Sequence, residues 1–155
     1  MFSTVFEKAR TYLYRHARPL DLARFQYHFE QGSREAVMQV LSCYQNADGG
    51  LGHAVEADCW NPNSTPLHTA TACGIIGEIA YPDAAHPVQS EFFEEHRKTA
   101  ERECEFLLNS QLNDDSWPIP WQWDEYPEEW AVSRNWWKGH VIVENLRYLK
   151  GLHRI

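Results

Sequence analysis

Ser110-Gln111-Leu112-Asn113-Asp114-Asp115-Ser116-Trp117 and Tyr44-Gln45-Asn46-Ala47-Asp48-Gly49-Gly50-Leu51-Gly52 are two versions of one stretch. Each follows an apolar run at helical spacing: Cys104, Leu107 and Leu108 before the later copy, Val37, Val40, Leu41 and Tyr44 before the earlier one. Each is followed by a long polar loop containing Trp, and then by another apolar run. The unit is helix, Gln, acidic turn, loop, helix, and its recurrence predicts stacked helical hairpins. A helix ends with unsatisfied carbonyls, and a Gln side chain both donates and accepts, so Gln45 and Gln111 can tie backbone groups on either side of the turn. Asp48 and Asp114 can accept amides of their own turns. Gly49 and Gly50 allow positive φ. Trp117 offers a large flat surface to a neighbouring unit. These five residues, Gln45, Asp48, Gln111, Asp114 and Trp117, are expected to do structural work.

Outward from this unit the helical periodicity continues. Phe2 to His16 reads as a helix with Val5, Phe6, Ala9, Tyr12 and Leu13 on one face. Pro19 suits the first turn of a second helix, which ends near Gly32. Ser33 is placed to cap a third, through about Tyr44. After a loop to Pro66, Leu67 to Ala80 reads as a helix of small apolar residues suited to a central position, and Tyr81 to Pro87 as a turn. Ser90 caps what reads as the longest helix, to Asn109, and the last helix is expected from near Ser133 to Leu152. Strand patterns are lacking. The fold class is all-α, one domain over residues 1–155, with N-terminal helices in 1–32 and repeat units at about 33–81 and 90–152.

With 43% hydrophobic residues the composition is globular, and the formal net charge of -8 argues against nucleic acid as a partner. No apolar run reaches membrane-spanning length, and a cytoplasmic location is expected. Cys43, Cys59, Cys73 and Cys104 form no C-x-x-C and are expected as buried free thiols, with no metal site and no cofactor.

Glu105 to Trp117, E-F-L-L-N-S-Q-L-N-D-D-S-W, resembles the Gln-Trp repeat of the prenyltransferase and squalene–hopene cyclase families, and Leu41 to Gly52 resembles a weaker copy. The resemblance implies an α/α toroid, here a partial one, with Gln45 and Gln111 as repeat glutamines and Trp117 as the stacking partner. It also places His68 and His140 at inner-ring positions. The cyclases' D-x-D-D acid is not present, since Leu112 stands where its first Asp would be. A D-D-x-x-D pattern fails at Pro118, and Asp58-Cys59 is not the prenyltransferases' D-x-C.

Two stretches can carry chemistry. In His53 to Ser64, Glu56 and Asp58 are candidate catalytic carboxylates, because a pair in unequal environments divides into acid and base. His53, Trp60, Asn61, Asn63 and His68 are candidate ligand contacts. In Trp117 to Trp130, Trp121 and Trp123 can add an aromatic platform for a sugar, a carbocation or a quaternary amine, or seal a hairpin or interface. Three functions stay open: a binding or assembly module, an enzyme acting on a small polar or carbohydrate-like substrate, and a terpenoid cyclase or prenyltransferase relative. The ligand would be polar, sugar-like or isoprenoid. Self-association is expected, because two to three hairpins cannot close a ring and the terminal helix is rich in Trp136, Trp137, Ile142, Val143, Leu146 and Leu149.

Overall fold

The computed structural model describes residues 4–82, 88 and 90–155. Phe2 and positions 83–87 of the expected turn lie outside the described residues. Six helices follow in order: α1 (Thr4–His16), α2 (Pro19–Phe29), α3 (Arg34–Ser42), α4 (Pro66–Ala80), α5 (Phe93–Asn109) and α6 (Pro127–Gly151). Among the described residues there is no strand; the one extended pairing is an isolated antiparallel bridge between Gln45 and Leu51. The fold is all-α.

Local chemistry sets the helix starts. Ser33 Oγ accepts the Ala36 amide at 3.1 Å and begins α3. Thr65 Oγ1 accepts the His68 amide at 3.2 Å and begins α4, with Pro66 next. Pro19 and Pro127 likewise open α2 and α6. The last helix therefore starts six residues before Ser133, and at 25 residues it, rather than α5 with 17, is the longest. The cause is Pro127: its fixed φ begins the helix where the aromatic loop composition reads as coil.

The two Gln-centred turns have one backbone geometry. Gln45 Nε2 donates to Gly49 O and Gln111 Nε2 to Asp115 O, both at 2.9 Å. The Asn46 amide donates to Gly50 O and the Leu112 amide to Ser116 O, while Gly49 and Asp115 donate back to Asn46 and Leu112. Asp48 and Asp114 each accept the amide two residues on. The residue four beyond each Gln is left-handed, Gly49 at φ 85° and Asp115 at φ 71°. Six beyond each Gln an apolar side chain turns inward: Trp117 is buried with its Nε1 donating to Leu107 O, and Leu51 is half-buried. Gln111 also donates to Val5 O at 3.2 Å, which ties its turn to α1.

The hub of the core is α2, and it has three working faces. Phe25 joins Phe6, Leu13, Trp117, Ile142 and Leu146 between α1 and α6. Leu20 and Ala23 join Val37, Leu41, Val55, Ala72, Ile75 and Ile79 against α3 and α4. The third face carries Asp21, Arg24 and His28, all buried. The small residues of α4 do not centre it. Cys73, Gly74 and Gly77 are exposed, and a Cβ built on either glycine meets nothing within 4 Å. One side of α4 packs through Ala72, Ile75 and Ile79 while the other lies open. Cys43 is exposed as well, so of the four free thiols Cys104 alone is buried and Cys59 is half-buried. Ile142, Val143, Leu146 and Leu149 of α6 are fully covered within the chain, so the apolar face on which self-association rests is already occupied by α1 and α2. Among the described residues no helix is long and apolar enough to cross a membrane.

Candidate functional site

The loop from Gln45 to Thr65 is held by its own backbone. At Gly52 a Cβ would stand 2.3 Å from Pro62 O, so only glycine permits this crossing of the two loop arms. The His53 amide donates to Asn61 O at 2.9 Å, Asn46 Nδ2 to Pro62 O at 3.0 Å, and the Thr65 amide to Leu51 O at 3.1 Å. His53 and Ala54 are consecutive left-handed residues, at φ 55° and 64°, without being glycine. Such conformations cost about 1–3 kcal/mol each and persist where the surroundings over-determine them. Here Arg18 does so: its guanidinium donates to Ala54 O at 2.8 Å and Val55 O at 3.1 Å.

Arg18 also binds Asp21 at 2.8 Å and so couples this loop to the charged face of α2. From there a network runs outward through buried groups. Arg24, 1% exposed, donates to both Glu78 oxygens and to Glu144, and lies 3.5 Å from Asp21. Glu78 also takes His28 Nε2 at 2.8 Å and Arg147 at 3.2 Å. Burial pushes the Glu78 carboxyl toward its protonated form. The His28 hydrogen bond, Arg24 and Arg147 outweigh that and hold it at about 2. Arg24 Nη1 stands 3.0 Å from His140 Nδ1; a guanidinium only donates, so Nδ1 accepts, and Nε2 carries the ring proton. Burial first, and Arg24 second, push the His140 pKa down, against the pull of Asp21 and Glu144. An uncharged His140 ring is what the hydrogen bond from Arg24 requires.

Above this network α4 and α6 leave a groove of about 490 Å³, lined by Arg24, Thr71, Gly74, Ile75, Gly77, Glu78, Tyr81, His140, Glu144 and Arg147. The bare glycine side of α4 makes the room. The volume lies in the range of small-molecule sites, and convergent buried polar groups are what fix a ligand there. A second groove of about 460 Å³ lies between α5 and α6, beside Phe106, Leu107 and Tyr148. It shares Glu144 and Arg147 but lacks a buried charged floor, and its Glu103 is exposed and taken by the Tyr148 hydroxyl.

The expected site residues divide. Glu56 and Asp58 are both half-buried, and Glu56 Oε2 is shielded from solvent without a hydrogen-bond partner. Burial, then the neighbouring Asp58 charge, push the Glu56 pKa up, with His68 opposing. Trp60 reaches α6, its ring centroid 5.5 Å from that of Trp136, and Arg18 lies 5.9 Å from the Trp136 ring. Trp121 meets Trp137 edge-on at 5.1 Å, and Trp137 meets His140 edge-on at 5.4 Å. Trp60 and Trp121, from two different loops, thus pack on consecutive residues of one helix. Trp123 goes elsewhere and stacks on Trp130 at 5.6 Å.

His68 is fully buried, with Nε2 on Cys59 O at 2.8 Å and Nδ1 on Thr65 Oγ1 at 2.9 Å, so both ring nitrogens are engaged in holding the loop. Asn61 Oδ1 accepts the Asn63 amide, a turn-forming bond, and His53 Nε2 pairs with Asn46 Oδ1 on the surface. Among the described residues no three or more His, Cys, Asp or Glu side chains are grouped to hold a metal ion.

Asp21, Arg24 and Glu78 escape sequence reading. Their one signal is the 3–4 spacing of Asp21, Arg24 and His28, which also describes a solvated helix face. No family model, curated protein or solved structure matches the chain.

Proposed function

We propose that this chain is a small-molecule-binding module on a hairpin scaffold of the kind its Gln-Trp-like turns suggest, and that the α4–α6 groove takes a neutral, hydroxylated, ring-shaped ligand. The observation that carries this is the charge balance of the groove floor. Two guanidiniums that line it, Arg24 and Arg147, are matched by two lining carboxylates, Glu78 and Glu144, and Asp21 lies 3.5 Å from Arg24. A diphosphate or carboxylate entering the groove meets cations that are already paired, beside Glu78 and Glu144. That disfavours the isoprenoid diphosphate alternative. Hydroxyl groups both donate and accept, so they can use the remaining capacity of Glu144, Arg147 and His140 without bringing charge. Tyr81, 71% exposed at the groove's edge, offers an aromatic face for the apolar side of a ring.

A second reading has one specific observation behind it. Glu56 has an unpartnered, shielded oxygen and a raised proton affinity beside Asp58. In an enzyme acting on a carbohydrate-like substrate, Glu56 is then the proton donor and Asp58 the acceptor.

Thermal shift with methyl glucoside, myo-inositol, a disaccharide and geranyl diphosphate tests the first reading. A ligand at a hundred times its Kd adds about 2.7 kcal/mol, a rise of several degrees in Tm for a chain of this size. The hydroxylated rings are expected to raise Tm, and Glu144→Gln is expected to weaken that effect. A response to geranyl diphosphate alone, or to none of the four, refutes the reading.

A further inference from the structure

Among the described residues four shielded side-chain atoms lack a hydrogen-bond partner: Glu56 Oε2, Ser110 Oγ, Ser133 Oγ and Trp137 Nε1. Two of them are neighbours. Ser133 and Trp137 are four residues apart on α6, so their side chains share one face of the helix. The next residue along that face is His140, which lines the groove, and the Trp137 ring meets it at 5.4 Å and 87°. Ser133 is 0% exposed. An indole N–H and a hydroxyl taken out of water lose their hydration, and native structures leave few such groups unpaired. A loop residue lies against Trp137: Trp121 meets it edge-on at 5.1 Å and is itself 40% exposed.

We infer that the ligand site continues from the groove past His140 and beneath Trp121, where the Trp137 N–H and the Ser133 O–H receive acceptor oxygens of the ligand. Trp121 is then a movable cover, displaced by the ring that takes its place on Trp137. Two donors one helical turn apart select a ligand with two oxygens on one edge, as adjacent hydroxyls or a hydroxyl beside a carbonyl provide. The ligand class rests on the groove reading above; the existence of the extension does not.

Indole resonances of the full-length ¹⁵N-labelled chain test this. The Trp137 signal is identified by its loss in Trp137→Phe, or by its nuclear Overhauser contacts to the His140 ring if that variant does not fold. The probes are methyl glucoside and N,N-dimethylacetamide, which only accepts hydrogen bonds. Both are expected to move the Trp137 indole proton downfield saturably, while that of Trp117, tied to Leu107 O, stays put. Ser133→Ala is expected to weaken binding about fivefold, the worth of one hydrogen bond. A Trp137 signal that neither probe moves, as a buried structural water would produce, overturns the inference. Methyl glucoside moving groove resonances but not Trp137 overturns the extension and leaves the groove reading standing. Dimethylacetamide alone moving Trp137 supports the extension and removes the sugar-like ligand.

Discussion

Arg24→Met keeps the stem of the side chain and removes its charge from the centre of the network. The guanidinium donates to both oxygens of Glu78 and to Glu144, and lies 3.5 Å from Asp21. The size of its effect can be worked from Glu78, whose side chain is 6% exposed. Against burial, the His28 hydrogen bond together with Arg24 and Arg147 lowers that carboxyl from 4.5 to about 2. At roughly 1.4 kcal/mol per pH unit this difference amounts to about 3 kcal/mol at neutral pH. Removing one partner of a buried ion pair costs about 3–5 kcal/mol. Arg147 and His28 remain on Glu78 and Arg18 remains on Asp21, so the lower end, about 3 kcal/mol, is the expected loss at pH 7. The pH dependence has a definite sign. A depressed folded-state pKa gives stability that is fully present above 4.5 and lost as pH falls through about 2. In the variant Glu78 takes up a proton at higher pH, which relieves its unpaired charge, so the deficit against wild type shrinks between pH 7 and pH 4. Urea unfolding at both pH values measures this, and adding Glu78→Gln to the variant should return at least half of the lost stability. A loss under about 1 kcal/mol, or one independent of pH and unaffected by Glu78→Gln, refutes the claim that the network is electrostatically coupled.

The two Gln turns and the orphan hydroxyl give further expected outcomes. Gln111→Ala frees the carbonyls of Val5 and Asp115 and should cost about 1–3 kcal/mol, whereas Gln45→Ala, exposed and bonded to Gly49 O, should cost less than about 1 kcal/mol; denaturant melts of the two variants that coincide would contradict this ranking. Ser133→Ala removes a buried hydroxyl that has no partner and places a better helix former in α6, so Tm should rise by about 1–4 °C; a fall would mean that the hydroxyl is satisfied in solution.

Much of the architecture was readable because it is written in local chemistry. Ser33 and Pro19 mark helix starts within a few residues of themselves, and the Gln-centred stretch encodes a turn whose bonds common to both copies close between near neighbours, which is why both copies take the same form. Apolar spacing in α1 and α2 likewise declares its buried face. The groove floor is different in kind. Arg24 meets Glu78 across 54 residues and Glu144 across 120, and no window along the chain contains those partners together. Read locally, Asp21, Arg24 and His28 are what a solvated face would carry; burial alone turns them into a network. The small residues of α4 show the reverse case. Composition says that a neighbour can approach closely, but whether one does depends on where α6 lies. Here α6 packs on α1 and α2 and stands away from α4, so Gly74 and Gly77 line a groove instead of a helix contact. Local sequence set the elements and their ends, while the inter-element packing decided which charges were stripped of water and which small residues were left open, and those two outcomes make the groove.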